Sequence, residues 1–152
     1  MARKKCIEIV LDVETTGLDY KKERIIEFAA VRLENGVIKD SYETLINPQQ
    51  HIRKSSMAVH GITEEMVADQ PTEEQVMPEI LKFIGFSDIA GYNILKFDIP
   101  MLMEEFLRAG IDFDIKTRHL IDVMNIFMKM EPRTLKGAYR FFLNKDLVDA
   151  HS

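Results

Sequence analysis

The order of apolar and polar positions lays out the elements of the chain. Ile7, Ile9, Leu11 and Val13 alternate with Cys6, Glu8, Val10, Asp12 and Glu14. This is the period of a strand, whose successive side chains point to opposite faces. Asp12 and Glu14 therefore emerge side by side at the carboxyl end of an apolar strand, and the turn signal Thr16-Gly17 follows. Leu18 to Glu23 is polar and reads as a loop. Arg24 to Leu33 is mostly apolar and fits a buried strand; Asn35-Gly36 signals a tight hairpin, and Val37 to Ile46 returns as the partner, closed by Asn47-Pro48. The pattern predicts an antiparallel meander of three strands.

Beyond Pro48 the period changes. Ser55 to Asp69 reads as short helical pieces around His60-Gly61-Ile62-Thr63. Thr72-Glu73-Glu74-Gln75 has the form of a capping box. It starts a helix with Val76, Ile80, Phe83 and Ile84 on its apolar face, and Pro78 inside that span should kink the helix or delay its start. Asp88 to Asn93 reads as a short strand. Pro100 opens a helix with Ile99, Leu102, Met103 and Phe106 on one side, and Gly110 ends it. Thr117 to Asp122 fits a fifth strand, followed by helical stretches near 123–130 and 134–143. A meander followed by alternating helices and strands predicts an α/β fold: a mixed five-stranded sheet flanked by helices, antiparallel at one edge and parallel elsewhere.

Composition narrows the class. A chain of 152 residues with 46% hydrophobic content suits one domain with a core. No apolar run approaches the ~20 residues of a membrane span, and Glu8 and Asp12 interrupt the stretch after the basic start, so it is no secretion signal. One cysteine, Cys6, permits no internal disulfide and suits a reducing, cytoplasmic setting. The net charge of −5 argues weakly against a polyanionic partner, but it is uneven: Lys116 to Lys145 carries +5 and the remainder −10. That basic stretch is either a flank for a polyanion or a solvated helix face. Thr63 to Glu79, with six acids and no Lys or Arg, should face away from any polyanion.

The candidate chemistry begins with Asp12 and Glu14. Two carboxylates held together beside a core repel, and a divalent cation such as Mg²⁺ or Mn²⁺ relieves the repulsion through oxygen ligands. Asp-x-Glu is also a common chance pairing. Asp98 reads equally as a capping residue next to Pro100, His60 as a turn histidine before Gly61, and His151 as a residue near a chain end.

Taken together, Asp12-Val13-Glu14-Thr15-Thr16-Gly17-Leu18, His60-Gly61-Ile62-Thr63, Asn93 to Pro100 and Asp149-Ala150-His151 resemble the DEDDh family of 3′→5′ exonucleases. The closest type is the epsilon-like (DnaQ-like) proofreading exonuclease of bacterial replicative polymerases. The resemblance implies a ribonuclease H-like fold and a single exonuclease domain over 1–152 that lacks its part after Ser152. It implies that Asp12 bridges two Mg²⁺ or Mn²⁺ ions, that Glu14 and Asp98 each hold one, and that His151 is the general base. Ions ~3.5–4 Å apart stabilise both ends of an in-line displacement at phosphorus, and an imidazole pKa of ~6.5 suits a base at neutral pH. Thr15 would meet the terminal 3′-hydroxyl, Leu18 and His60 would pack about the terminal nucleotide, and Asn93 and Phe97 would lie near the next. Phe97 reads equally as a core aromatic.

The family's last Asp would fall beyond Ser152; Asp122 or Asp149 would have to lie nearby to replace it. The leading reading is hydrolysis of DNA from its 3′ end to nucleoside 5′-monophosphates, in proofreading or repair with a polymerase subunit. An exoribonuclease acting on RNA and an inactive nucleic-acid- or polymerase-binding module are the alternatives. A non-nuclease phosphohydrolase leaves Asn93–Asp98 and His151 without a use.

Overall fold

The computed structural model describes residues 7–124. The elements run β1 (Ile7–Thr15), β2 (Ile25–Glu34), β3 (Val37–Leu45), α1 (Lys54–His60), α2 (Glu64–Val67), α3 (Glu73–Ile84), β4 (Asp88–Gly91), α4 (Asp98–Arg108) and β5 (Leu120–Asp122). The strands form one sheet in the order β3-β2-β1-β4-β5. β1, β2 and β3 pair antiparallel, while β1, β4 and β5 pair parallel. This is the mixed sheet read from the sequence. The stretches at 123–130 and 134–143 lie largely or wholly outside the described residues, as do Cys6, Asp149 and His151.

The hairpin turns where Asn35 and Gly36 adopt φ of 53° and 81°. Two successive positive φ values make the type I′ turn that matches strand twist, and Asn-Gly tolerates them best. In β1, Ile9, Leu11 and Val13 are buried, whereas Asp12 is exposed and Glu14 half-buried. The alternation thus sends one row into the core shared with Phe28, Val76, Met77, Ile80, Leu102 and Phe106. A smaller core of Ile26, Ile52, Ile62 and Val67 lies under α1 and α2.

Two helices differ from expectation. α3 runs unbroken through Pro78 and starts on schedule at Glu73, with Gln75 Oε1 accepting the Thr72 N–H at 3.0 Å. Pro78 lies on the exposed side, where water can satisfy the carbonyl that the missing N–H leaves free. In α4 the buried face is Ile99, Met101, Leu102, Glu105 and Phe106, and Met103 is 46% exposed. The buried side is thus turned away from Met103 toward Met101 and Glu105, and the Glu105 carboxylate is met there by Arg24, just before β2, and by Arg108 of α4 itself.

β4 is only four residues long. It pairs with β1 from Glu8 to Val10 and then ends at Gly91, where a Cβ would come within 2.8 Å of the Leu11 carbonyl. Past this close approach, the β4-side edge of β1 has no strand beside it among the described residues. Among the described residues no helix is long and apolar enough to cross a membrane.

Candidate active site

The unpaired stretch of β1 is where Asp98 comes in. Asp98 is the first residue of α4, is 5% exposed, and its Oδ2 accepts the Val13 N–H at 3.0 Å. A side chain 85 positions away thus takes the hydrogen bond a neighbouring strand would have made. Val13 lies between Asp12 and Glu14, so all three carboxylates belong to one end of the sheet. At that end a β-bulge lets Glu14 face Glu27 and Thr15 face Ile25. Bulges bend a strand and re-aim its side chains.

The acids act on one another. Glu14 is pushed up to about 7, by burial first and then by Asp12 and Glu27. Asp98 is pushed up to about 8, chiefly by burial and then by Asp12, against the opposing pull of the Val13 N–H. Among the described residues, no lysine or arginine is one of the groups that set either value. The cross-strand pair Glu14–Glu27 sets like charges directly opposite, an arrangement that costs stability. Sequence reading missed Glu27, since only hairpin register reveals it.

The donor chemistry suits a hard divalent cation: every group is a carboxylate oxygen, and burial together with the neighbouring acids makes the charged forms of Glu14 and Asp98 costly. The side chains are not yet closed into a cage. Among the described residues, no three His, Cys, Asp or Glu side chains are gathered as a metal-holding group, and one Asp98 oxygen faces Val13.

Several neighbours are already committed to the protein. The Thr15 hydroxyl, 4% exposed, donates to the Gly17 carbonyl at 2.6 Å. His60 accepts the Ile62 N–H on Nδ1 at 3.0 Å, which leaves the proton on Nε2 to donate to the Thr15 carbonyl, also at 3.0 Å. His60 is therefore a clasp on the turn after Glu14. Leu18 stands 84% exposed beside it. Phe97 packs partly buried against the main core.

Asn93 adopts φ of 59°, and its N–H donates to Asp122 Oδ1 at 2.9 Å. Asp122, 7% exposed, also accepts from Leu95 N–H at 3.1 Å and Met124 N–H at 3.0 Å. Both of its oxygens are thus spent on shaping the turn that delivers Phe97 and Asp98. The expectation that Asp122 could serve as a further ligand is corrected accordingly: backbone N–H groups already engage both of its oxygens. An Asp ending an apolar strand just before a helix was the available signal, and it marks a cap.

Sequence reading also missed a network of charges behind the site. Glu105, fully buried, accepts from Arg24 at 3.2 and 2.9 Å and from Arg108 at 2.7 Å. Glu73, 1% exposed, lies 3.7 Å from Arg24, and neither of its oxygens has a hydrogen-bond partner. Burial, with Glu105 close by, pushes Glu73 up to about 8.

A family model described as exonuclease matches residues 9–151. The chain is 45% identical over 128 residues to a DNA polymerase III PolC-type protein of Thermotoga petrophila, covering 84% of this chain and 9% of that one. It is 40% identical over 86 residues to the DNA polymerase III subunit epsilon of Aquifex aeolicus, covering 57% of this chain and 43% of that one. It thus spans about a tenth of the length of the PolC-type relatives it matches. Among solved structures, an E. coli ExoI–ssDNA complex with bound zinc superposes with a TM-score of 0.75 at 20% identity, over 83% of this chain and 30% of that one, a likeness of fold. The mixed sheet is therefore ribonuclease H-like, and a family match running nearly end to end agrees with the motifs at Asp12–Leu18 and Asn93–Pro100: the chain belongs to the exonuclease family.

Proposed function

We propose that the chain is a metal-dependent 3′→5′ exonuclease that hydrolyses the terminal phosphodiester bond of DNA and releases a nucleoside 5′-monophosphate. The observation that carries this reading is the bond from Val13 N–H to the Asp98 carboxylate, which brings Asp98 to the strand end bearing Asp12 and Glu14. Asp12, Glu14 and Asp98 would hold two Mg²⁺ or Mn²⁺ ions, which when bound supply Lewis-acid stabilisation of charge at phosphorus and a more acidic water. His151, outside the described residues, would take the proton of that water as general base. The backbone of the Thr15–Leu18 turn, fixed by His60, would meet the 3′-terminal nucleotide, with Leu18 against its base. Asn93 and Phe97, on the turn shaped by Asp122, would meet the next nucleotide.

The names of the relatives support a place beside a replicative polymerase, and the ssDNA in the E. coli complex supports a single-stranded 3′ end as substrate. The test is a 5′-labelled oligonucleotide incubated with Mg²⁺ or Mn²⁺ beside a closed circle of the same sequence. A ladder shortening from the 3′ end, with 5′-mononucleotides released and the circle intact, is the expected result. Cutting of the circle would overturn the exonuclease reading. Faster shortening of an all-ribose strand would redirect the substrate to RNA.

A further inference from the structure

The loop between β1 and β2 is polar, yet it is fastened from several sides. Its neck is closed by Thr16 N–H on the Arg24 carbonyl at 2.8 Å. Lys22 and Glu23 N–H groups fold back onto the Asp19 carbonyl at 3.0 and 2.8 Å, and the Lys21 N–H onto the Asp19 carboxylate at 3.1 Å. Four successive carbonyls are also met by side chains from elsewhere. Arg108 of α4 donates to Lys21 O at 2.8 Å and, more loosely, to Tyr20 O at 3.4 Å and Glu23 O at 3.5 Å. Gln50 donates to Lys22 O at 3.2 Å. Arg108 is itself held by Glu105. The backbone is spoken for, while the side chains of Leu18, Tyr20, Lys21 and Lys22 all face water.

We propose that this loop is a docking surface for the single-stranded nucleic acid beyond the nucleotide being removed, with Tyr20 stacking on a base and Lys21 and Lys22 meeting phosphates. The inference rests on the exonuclease reading and extends its site. Charge is the first argument. A cluster of carboxylates repels an incoming strand, and the exposed charges from Thr63 to Glu79 are all acids. Adjacent lysines on the loop that leaves Glu14 supply attraction where the strand must arrive. Chemistry is the second: an aromatic face next to cations is how single strands are held without regard to sequence. Preorganisation is the third, since a loop already fixed by Arg108 and Gln50 loses little freedom on binding.

The experiment measures binding of a labelled oligothymidylate in EDTA across a salt series, and separately its hydrolysis with Mg²⁺. Lys21→Ala/Lys22→Ala should flatten the plot of log K against log salt by ~1.4, two single-strand phosphate contacts at ~0.7 each. Its KM for the oligonucleotide should rise about five- to tenfold, with a smaller change in kcat. Tyr20→Ala should weaken binding at least about fivefold with the salt slope kept, and Tyr20→Phe should restore it, as one stacked base implies. Lys39→Ala/Lys82→Ala, the same charge change made elsewhere, should leave slope and KM alone. An unchanged slope in the Lys21/Lys22 variant, or a Tyr20→Ala protein that binds like the parent, would overturn the docking surface. Loop-dependent binding without hydrolysis would keep the surface and remove the exonuclease reading; hydrolysis indifferent to the loop would do the reverse.

Discussion

Helix α4 carries a buried acid at each end, and the two have been given different company. Glu105 lies ~10 Å along the axis from Asp98, at a rise of ~1.5 Å per residue. It is saturated with positive charge, accepting from Nε and Nη2 of Arg24 and from Nη1 of Arg108. Asp98 is just as enclosed but is met by a backbone N–H, and its neighbours Asp12 and Glu14 only add repulsion. Where the protein supplies arginines, the carboxylate is mortar. At Asp98, where no arginine arrives among the described residues, the carboxylate is kept costly, the setting in which a bound cation would gain most.

The strongest way to break that contrast is to remove the charge at Asp98 and keep its shape. Asp98→Asn can still accept from Val13, so the fold should survive, read by far-ultraviolet circular dichroism. Exonuclease turnover should drop by ~10³-fold, in the range of losing an electrostatic group at a reacting phosphate. Turnover close to that of the parent would place Asp98 among the structural acids.

The converse substitution tests the other end. Glu105→Ala leaves the partly exposed Arg24 and Arg108 without their buried partner and should cost about 1.5–3 kcal/mol in urea unfolding. Because Arg108 also ties down the β1–β2 loop, hydrogen exchange of Lys21 to Glu23 should quicken in the same variant. A loss well under 1 kcal/mol would mean that the arginines reach water at no cost and that the pairing is ornamental.

The smallest effect sharpens the comparison through pH. Glu73 is the member of the buried network left without a hydrogen bond, and its folded pKa of about 8 lies above the ordinary carboxylate value. Between ~4.5 and ~8 the folded chain keeps a proton that the unfolded chain has released, so stability from this group falls as pH rises through that window. Below the window both states are protonated and the penalty vanishes. Glu73→Gln should therefore be close to neutral at pH 4 and stabilising by ~1–3 kcal/mol at pH 9, by comparison of urea midpoints at the two values. A gain of equal size at both values would assign the effect to packing rather than to charge.

Much of this was legible along the chain because local period carries it. The alternation of β1 fixed which side Asp12 and Glu14 take, Asn35-Gly36 fixed the hairpin, and Thr72-Gln75 fixed the start of α3. Asp98 was legible as a motif, though its bond to Val13 was not. Partners were harder. Nothing near Glu105 says that Arg24, 81 positions earlier, will arrive to neutralise it, so the apolar period alone puts Met103 on the buried side and leaves Glu105 off it. Glu27 meets Glu14 only through hairpin register and a bulge. Asp122 had the right chemistry for a ligand, but three backbone N–H groups claim it. Residue type and spacing announce what a side chain can do; tertiary neighbours decide whether it is free to do it.

The brevity of β4 has a consequence for how such a centre is lost. The strand quits at Gly91 while β1 continues to Thr15, and Asp98 occupies the ledge this leaves. An insertion that let β4 run two residues further would zip that ledge shut and evict the acid. Every residue named in the site would then survive in the sequence, and the chemistry would still be gone.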